Sequence, residues 1–476
     1  MKEKVLNKRC IKDSIIHMIG TIMILIVGII NPAHHFMSGI LLGISAIALY
    51  LVYVFFVTDR NWLDIRAVFT GVWLGTLALA ALRLTDYQEQ WLFKSWVLLA
   101  ISYLAFQLGA SLGKENGAKV YKKSRDVLKK VKTGPFVFSV KENRLFAICI
   151  GVTLIGLTCF IINIAIKGFV PAFSDSMSAY VDFYTKFHVF STAATAVSGL
   201  CYYVIHTQSL SIVKKSILWV CIFYLVILFP ILTVSRGVFI VASVPLAVAI
   251  FYLHGKKLHV FILCICIIGG VYMMTSNLRG YTDEYLDMVF EPSDIVIGNE
   301  DELSTEGEMI EGNVTTFALS PKMSFLYSYL TVSHDNFNEA VQNSTQYTWG
   351  ARQLGAFNVI LNIEKWDEIV LEAENHVVRP HLPTVNMMGT FYYDFHEFGV
   401  IFCSFFWALV FGLVQGYYEK SGAIFSLLIH GFSMNAVALS FFSSWIESFE
   451  LWMFCGLIMI LSIVASVSIK KETKEV

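Results

Sequence analysis

The chain has 476 residues, 56% hydrophobic and 15% charged, with a mean hydropathy of +0.64 and a formal net charge of -1. Soluble domains carry about a quarter of charged residues, so this composition excludes an ordinary water-soluble fold and makes the bilayer the expected solvent. With ~20 apolar residues needed per crossing of a ~30 Å hydrocarbon core, twelve helices would use roughly 240 residues, about half of the chain.

In chain order, apolar runs of spanning length fall at residues 15–30, 38–57, 67–82, 96–112, 145–166, 187–205, 216–234, 238–253, 258–274, 398–416, 423–442 and 451–469. They predict an all-α, polytopic integral membrane protein of about 12 transmembrane helices, with a large external loop between helices 9 and 10. The expected organisation is a bundle of helices 1–9 over residues 1–275, a polar loop over 276–390, and helices 10–12 over 391–476. The first run has no small-residue cleavage pattern ahead of Asn31-Pro32, so it is expected to stay as the first helix. None of the nine Cys falls in the polar loop, and no disulfide framework is expected there.

Lysine and arginine set the threading. Connections on one side of the runs carry 25 of the 35 basic residues, ten of them in the 113–144 connection. The other side carries 10, five of them inside the long loop. The positive-inside rule therefore places both termini in the cytoplasm and the 276–390 loop outside. The basic connection, which includes KVYKKSRDVLKKVK, reads as a topology signal resting on membrane lipids. It has no aromatic interleaving or binding motif, so no nucleic acid is expected as a partner. Gly-rich phosphate loops, CxxC, HExxH and GxSxG are absent, and no cofactor or metal is expected.

The loop divides in two. Residues 280–321 hold eleven acids and no Lys or Arg, without EF-hand spacing, and read as a solvated segment. Beyond it, SFLYSYLTV (324–332) is apolar but too short to span, which predicts a re-entrant or interfacial element. In ARQLGAFNVIL (351–361), Leu354, Phe357 and Leu361 are at helical spacing and predict a helix lying on the membrane surface.

Arginines on the outer side are the candidate anion ligands. Arg236 lies in TVSRG, in a turn between two runs. Arg279, Arg352 and Arg379 lie in the loop, where 5 basic residues face 18 acidic ones. An acidic surface repels anions, so any anion site there must be focused by these few guanidiniums, whose fork matches phosphate and whose charge persists near lipid. The competing reading for each is an interfacial anchor or a salt bridge. His376, His381, Asp394, His396 and Glu397 are the candidate general bases. Four of these five lie in RPHLPTVNMMGTFYYDFHEFG (379–399), where the polar loop meets the tenth run. On a continuous helix Asp394 and Glu397 would share a face and His396 would point elsewhere. The competing reading is a set of polar residues capping a helix start. His430 and Asn435 lie inside the run 423–442, as functional groups or as interhelical hydrogen bonds. Asp175 and Asp182 are candidates for sugar contact, against ordinary loop solvation.

The patch GFVPAFSD before one run, TVSRG opening another, and the long loop ending in RPHLPTVNMMGTFYYDFHEFG together resemble the Wzy-type oligosaccharide repeat-unit polymerases, within the O-antigen-ligase-like superfamily. The topological likeness covers essentially the whole chain, and the motif likeness is confined to these three patches. The resemblance implies a metal-independent, nucleotide-independent glycosyltransferase of the bacterial cytoplasmic (inner) membrane, acting in O-antigen, capsule or exopolysaccharide synthesis. A glycan on undecaprenyl pyrophosphate would pass to the next lipid-linked oligosaccharide. Arginines would hold the pyrophosphate and a base would deprotonate the acceptor hydroxyl. A chain-length regulator and a flippase of the same pathway are the implied protein partners.

The chain departs from the family pattern in two places. No Arg occurs between Lys167 and Lys186, where Tyr180 sits in the stretch that often carries one, which leaves Arg236 as the candidate for that role. Arg379 precedes Gly389 by a spacing one residue off the usual. A ligase-like glycan transferase would share the chemistry and differ in acceptor. The other multi-span lipid-sugar transferases place acids in the first external loop, and NPAHHFM has none. A flippase or transporter would show paired halves and intramembrane charges, and the two halves here are unlike.

Overall fold

The computed structural model describes residues 2–85, 87–131, 136–138, 142–174, 182–265, 269, 294–297, 315–318, 320–355, 357, 366, 368–370, 376–378 and 382–469. The helices are α1 (Lys2–Ile30), α2 (His35–Val52), α3 (Ile65–Ala81), α4 (Phe93–Val131), α5 (Glu142–Lys167), α6 (Lys186–Ala194) and α7 (Ser198–Thr207). They continue with α8 (Ile212–Phe223), α9 (Phe229–Leu232), α10 (Arg236–Leu253), α11 (Pro321–Asn343), α12 (Met387–Ser421), α13 (Ile424–Ala438) and α14 (Phe449–Ser466). Two short antiparallel pairs accompany them, Phe136–Phe138 with Val467–Ile469 and Asp294–Ile297 with Thr315–Ala318.

Among the described residues nine helical spans are long and apolar enough to cross a membrane, and Ile65–Ala81 and Ile424–Ala438 are shorter apolar helices. Eleven of the twelve apolar runs thus coincide with helices, and the run 258–274 is helical over 258–265, while 266–268 and 270–274 lie outside the described residues. The surface supports the same conclusion. Phe398, Phe402 and Phe406 recur every fourth residue on α12, stacked on one another and exposed. Ile155, Ile161, Ile162 and Ile166 on α5 and Ile460, Ile463 and Val464 on α14 are exposed as well. Contiguous apolar stripes of this extent are unfavourable in water and favourable in lipid.

The chain divides into two compact units. The first comprises Met1–Ser111, Thr282–Val410 and Ala436–Glu447, and the second Leu112–Tyr281, Phe411–Asn435 and Ser448–Val476. In the first unit α3 packs against α2 and α11. Asp64 caps α3 through the Arg66 amide and, together with Asp13, pairs the Arg66 guanidinium at 2.9 and 2.6 Å. A buried cation held by two carboxylates is much cheaper than one left alone.

The SFLYSYLTV segment forms the first half of the 23-residue α11, capped by Ser320, and its polar continuation SHDNFN is also helical and largely buried. No Gly or Pro interrupts the chain between Pro321 and Asn343, so the helix has no reason to stop at the polar residues.

In the second unit α5 packs on α6 and α7 on α10. A π-helical turn, Tyr224–Leu228, precedes Pro230 of α9. Proline has no amide hydrogen and its ring clashes with the carbonyl four residues back, here Val226, and the widened turn accommodates both.

Helix packing in each unit relies on a backbone approach at a glycine of α4. A methyl group on Gly109 would run into the Phe405 carbonyl of α12 in the first unit, and one on Gly117 into the Leu413 carbonyl in the second. Gly117→Val should therefore lower the thermal midpoint of the detergent-solubilised protein, at a cost of about 1–3 kcal/mol. Gly75→Val, where no neighbour stands within reach, should leave it unchanged.

Candidate active site at the break in α12

Helix α12 is interrupted at Phe395 (φ -146°, ψ 21°) and His396 (φ 48°, ψ -136°). The expectation that Asp394 and Glu397 share a helical face is therefore not met. Asp394 ends the first segment fully buried. Its Oδ1 accepts from the Thr348 hydroxyl and from the Gly350 and Arg352 amides at 3.1 and 3.2 Å. Its Oδ2 accepts from the Gln353 amide at 3.1 Å and side chain at 2.9 Å. The backbone adds Thr348 N–H to the Tyr393 carbonyl at 2.9 Å and Trp349 N–H to the Asp394 carbonyl at 3.2 Å. A buried carboxylate requires such donors, and here five of them fold residues 348–353 onto the helix end. Both oxygens are committed, which makes Asp394 the anchor of the turn. The expected surface helix over 351–361 accordingly begins as a turn with Ala351, Arg352 and Gln353 buried, and Leu361 lies outside the described residues.

That turn sends Arg352 inward. The side chain is 9% exposed, with Cζ 4.7 Å from the centre of the Tyr393 ring and Nε 4.0 Å from Glu447 Oε2. The other Glu447 oxygen accepts from the Thr390 hydroxyl, and the Tyr393 hydroxyl donates to the His376 carbonyl at 3.3 Å. The first unit thus brings together Arg352, His376, Thr390, Tyr393, Asp394 and Glu447. The ring face orients the guanidinium, and Glu447 stands beside it as a carboxylate counter-ion.

Beyond the break, the His396 ring stacks between Tyr347 (4.0 Å) and Tyr392 (4.9 Å), and Nε2–H donates to the Gln346 carbonyl at 3.3 Å. That bond leaves Nδ1 as the nitrogen with a lone pair. A non-glycine residue at positive φ stores strain, which concentrates at functional sites. Glu397 pairs with Lys94 at 2.5 Å, both side chains about half exposed. An exposed pair of this kind adds little stability.

Arg236 belongs to the second unit, where it opens α10 at 7% exposure. The turn before it holds Val234 at φ 50°, a backbone region that β-branched residues rarely enter. Arg279, Arg379 and His381 lie outside the described residues, as do Asp175 and Tyr180. Asp182 is exposed. His430 Nε2 lies 3.2 Å from the Tyr252 hydroxyl with its ring stacked on Tyr418, the hydrogen-bonded alternative expected of it. The Asn435 amide is buried, with no hydrogen-bond partner for either atom among the described residues.

His334 and Asp335, both buried on α11, stand in no motif and were not among the candidates from sequence. His334 Nδ1 accepts from Asn386 at 3.1 Å and Nε2–H donates to Thr76 at 3.0 Å, the pattern of a neutral ring, and burial lowers its pKa to about 3. Asp335 accepts from Gln88 at 3.0 Å and Trp91 at 2.9 Å. The available signal was the unbroken helix length from Pro321, which carries an apolar face on into SHDNFN.

The fold defines a polytopic helical membrane protein. Comparison of the chain with protein-family models, with curated proteins and with solved structures finds no match.

Two measurements check these assignments. Asp394→Asn replaces an acceptor by a donor facing N–H groups, and should destabilise the detergent-solubilised protein by roughly 3 kcal/mol while opening the 348–353 turn to proteolysis. Burial raises the Asp335 carboxyl to about 7, with the Gln88 and Trp91 hydrogen bonds acting the other way. The folded chain therefore holds a proton that the unfolded chain releases above about pH 4, so this contribution to stability is full at low pH and falls as pH rises to about 7. Asp335→Asn should flatten the thermal-stability profile across that window.

Proposed function

We propose that this chain is an oligosaccharide repeat-unit polymerase of the Wzy type, which joins undecaprenyl-pyrophosphate-linked units at the outer leaflet of a bacterial cytoplasmic membrane. In this reading the chain crosses the membrane twelve times, with α3 and α13 as short crossings, both termini in the cytoplasm and the 276–390 loop outside. The observation that carries it is Arg352, a buried guanidinium placed on Tyr393 by a turn that Asp394 folds. Such a cation suits a pyrophosphate leaving group because its charge is in place before the reaction and needs no reorganisation during it.

The chemistry needs no cofactor. The acceptor hydroxyl gives its proton to a base, its oxygen bonds to the anomeric carbon of the growing glycan, and the bond from that carbon to the pyrophosphate oxygen breaks. The electron pair leaves with the lipid pyrophosphate, where Arg352 and Arg379 are the proposed cations. His396, whose Nδ1 keeps a lone pair, His376 and His381 are the candidate bases from the loop side.

The test is complementation of a deletion strain, with the glycan length pattern as readout. Arg352→Ala and Arg352→Lys should both cut chain lengthening by about 100-fold or more while single repeats accumulate outside, because a lysine offers no planar fork. Full-length glycan trapped on lipid would instead indicate a ligase, and repeats retained on the cytoplasmic side a flippase.

A further inference from the structure

Trp349 presents its ring to the surface on the same turn that points Arg352 inward. It ends a row of four rings that lies wholly within the first unit. Tyr392, 2% exposed, stacks on His396 with ring centres 4.9 Å and planes 8° apart, and His396 stacks on Tyr347 at 4.0 Å and 18°. Tyr347 in turn meets Trp349 at 5.0 Å and 32°. Exposure rises along the row, to 42% at Tyr347 and 71% at Trp349. At the Tyr392 end, Lys94 Nζ lies 5.7 Å from the ring centre and pairs with Glu397.

The backbone holds these rings in a fixed pose. Trp349 has φ 51° and His396 φ 48°, so two of the four are non-glycine residues in the left-handed region. The Asp394 bonds to residues 348–353 secure the first, together with the Trp349 amide on the Asp394 carbonyl at 3.2 Å. The bond from His396 to the Gln346 carbonyl secures the second. Phe395 stands edge-on to Trp349 at 6.4 Å. Strain of this kind persists where the surroundings enforce it and concentrates at ligand sites. The lipid-facing stripe of α12 differs in kind, since Phe398, Phe402 and Phe406 are purely apolar rings on regular helix. A tryptophan that only anchors a chain in the membrane interface gains its free energy in many orientations and needs no strained backbone. A stacking site needs one ring face fixed in advance.

We propose that Trp349 and Tyr347 form a platform that seats a sugar ring of the lipid-linked oligosaccharide. A pyranose has apolar C–H faces and a rim of hydroxyls. The indole face takes the first, as an extended π surface covered by C–H groups. The Tyr347 hydroxyl and, at the far end of the row, the Lys94–Glu397 pair supply donors and acceptors for the hydroxyls of the glycan. The inference rests on the proposed polymerase reading and deepens it by naming where the glycan lies. Trp349 and Arg352 are three residues apart, so the Asp394 bonds set both the ring that seats the sugar and the cation proposed for the pyrophosphate. Trp349 binds and takes no part in the bond exchange.

The test uses the full-length chain in membranes of a deletion strain, with single-repeat lipid-linked units extracted from that strain as the probe. Trp349→Ala should raise the probe concentration for half-maximal lengthening by about tenfold, with the maximal rate and the amount of protein near wild type. Trp349→Phe, which keeps a ring, should stay within about threefold of wild type. Independently of turnover, the fluorescence difference between wild type and Trp349→Phe in proteoliposomes should respond to the oligosaccharide released from the probe. It should not be quenched by phospholipid brominated on its acyl chains. An unchanged half-maximal concentration in Trp349→Ala would overturn the platform. So would quenching by brominated phospholipid without a response to oligosaccharide, which would make Trp349 an interfacial anchor. If the deletion strain accumulates no single-repeat units, it is the polymerase reading that fails, and the platform with it.

Discussion

A single buried carboxylate organises the candidate site of the first unit. Asp394 cannot be buried without donors, and the chain supplies five from residues 348–353. The turn that forms points Arg352 inward over Tyr393 and leaves Trp349 exposed, at a positive φ of 51°. The break at Phe395 and His396 follows, because α12 must give way where its last residues face a loop that takes up their carbonyls.

The same requirement recurs along α11 and at Arg66. His334, Asp335, Asn336 and Asn338 are buried in a segment that looks polar, and each finds partners on the first unit's other elements. Burial without water makes those partners obligatory, so the polar half of α11 docks as specifically as its apolar half. The Arg66 pairs with Asp13 and Asp64 do the same at the start of α3.

The second unit leaves such demands unmet at several places, the Asn435 amide among them. Around Phe160, Phe183 and Phe229, a ring nitrogen and two hydroxyls stay without partners among the described residues, while Tyr184 and Ser448 orient Glu450 nearby. Val234 is strained in the turn just before Arg236. Unsatisfied polar atoms and backbone strain at one end of a unit carry a stability cost that binding can offset.

The sequence by itself determined the solvent and most of the helices. Spanning length and apolar composition are local properties, which is why eleven of the twelve runs coincide with helices. It also brought forward Arg352, Asp394, His396 and Glu397, because charge beside apolar sequence is visible without coordinates. What each does was decided by tertiary structure. Asp394 became an anchor and Glu397 a partner of Lys94, because donors 41 to 46 residues away and a lysine just over 300 residues away reached them. The unpartnered Asn435 amide could not be read from the chain, since a missing hydrogen bond among the described residues exists only once the neighbours are in place. A pattern of residue types states which groups are present, and only packing in a medium without water decides which remain unpaired.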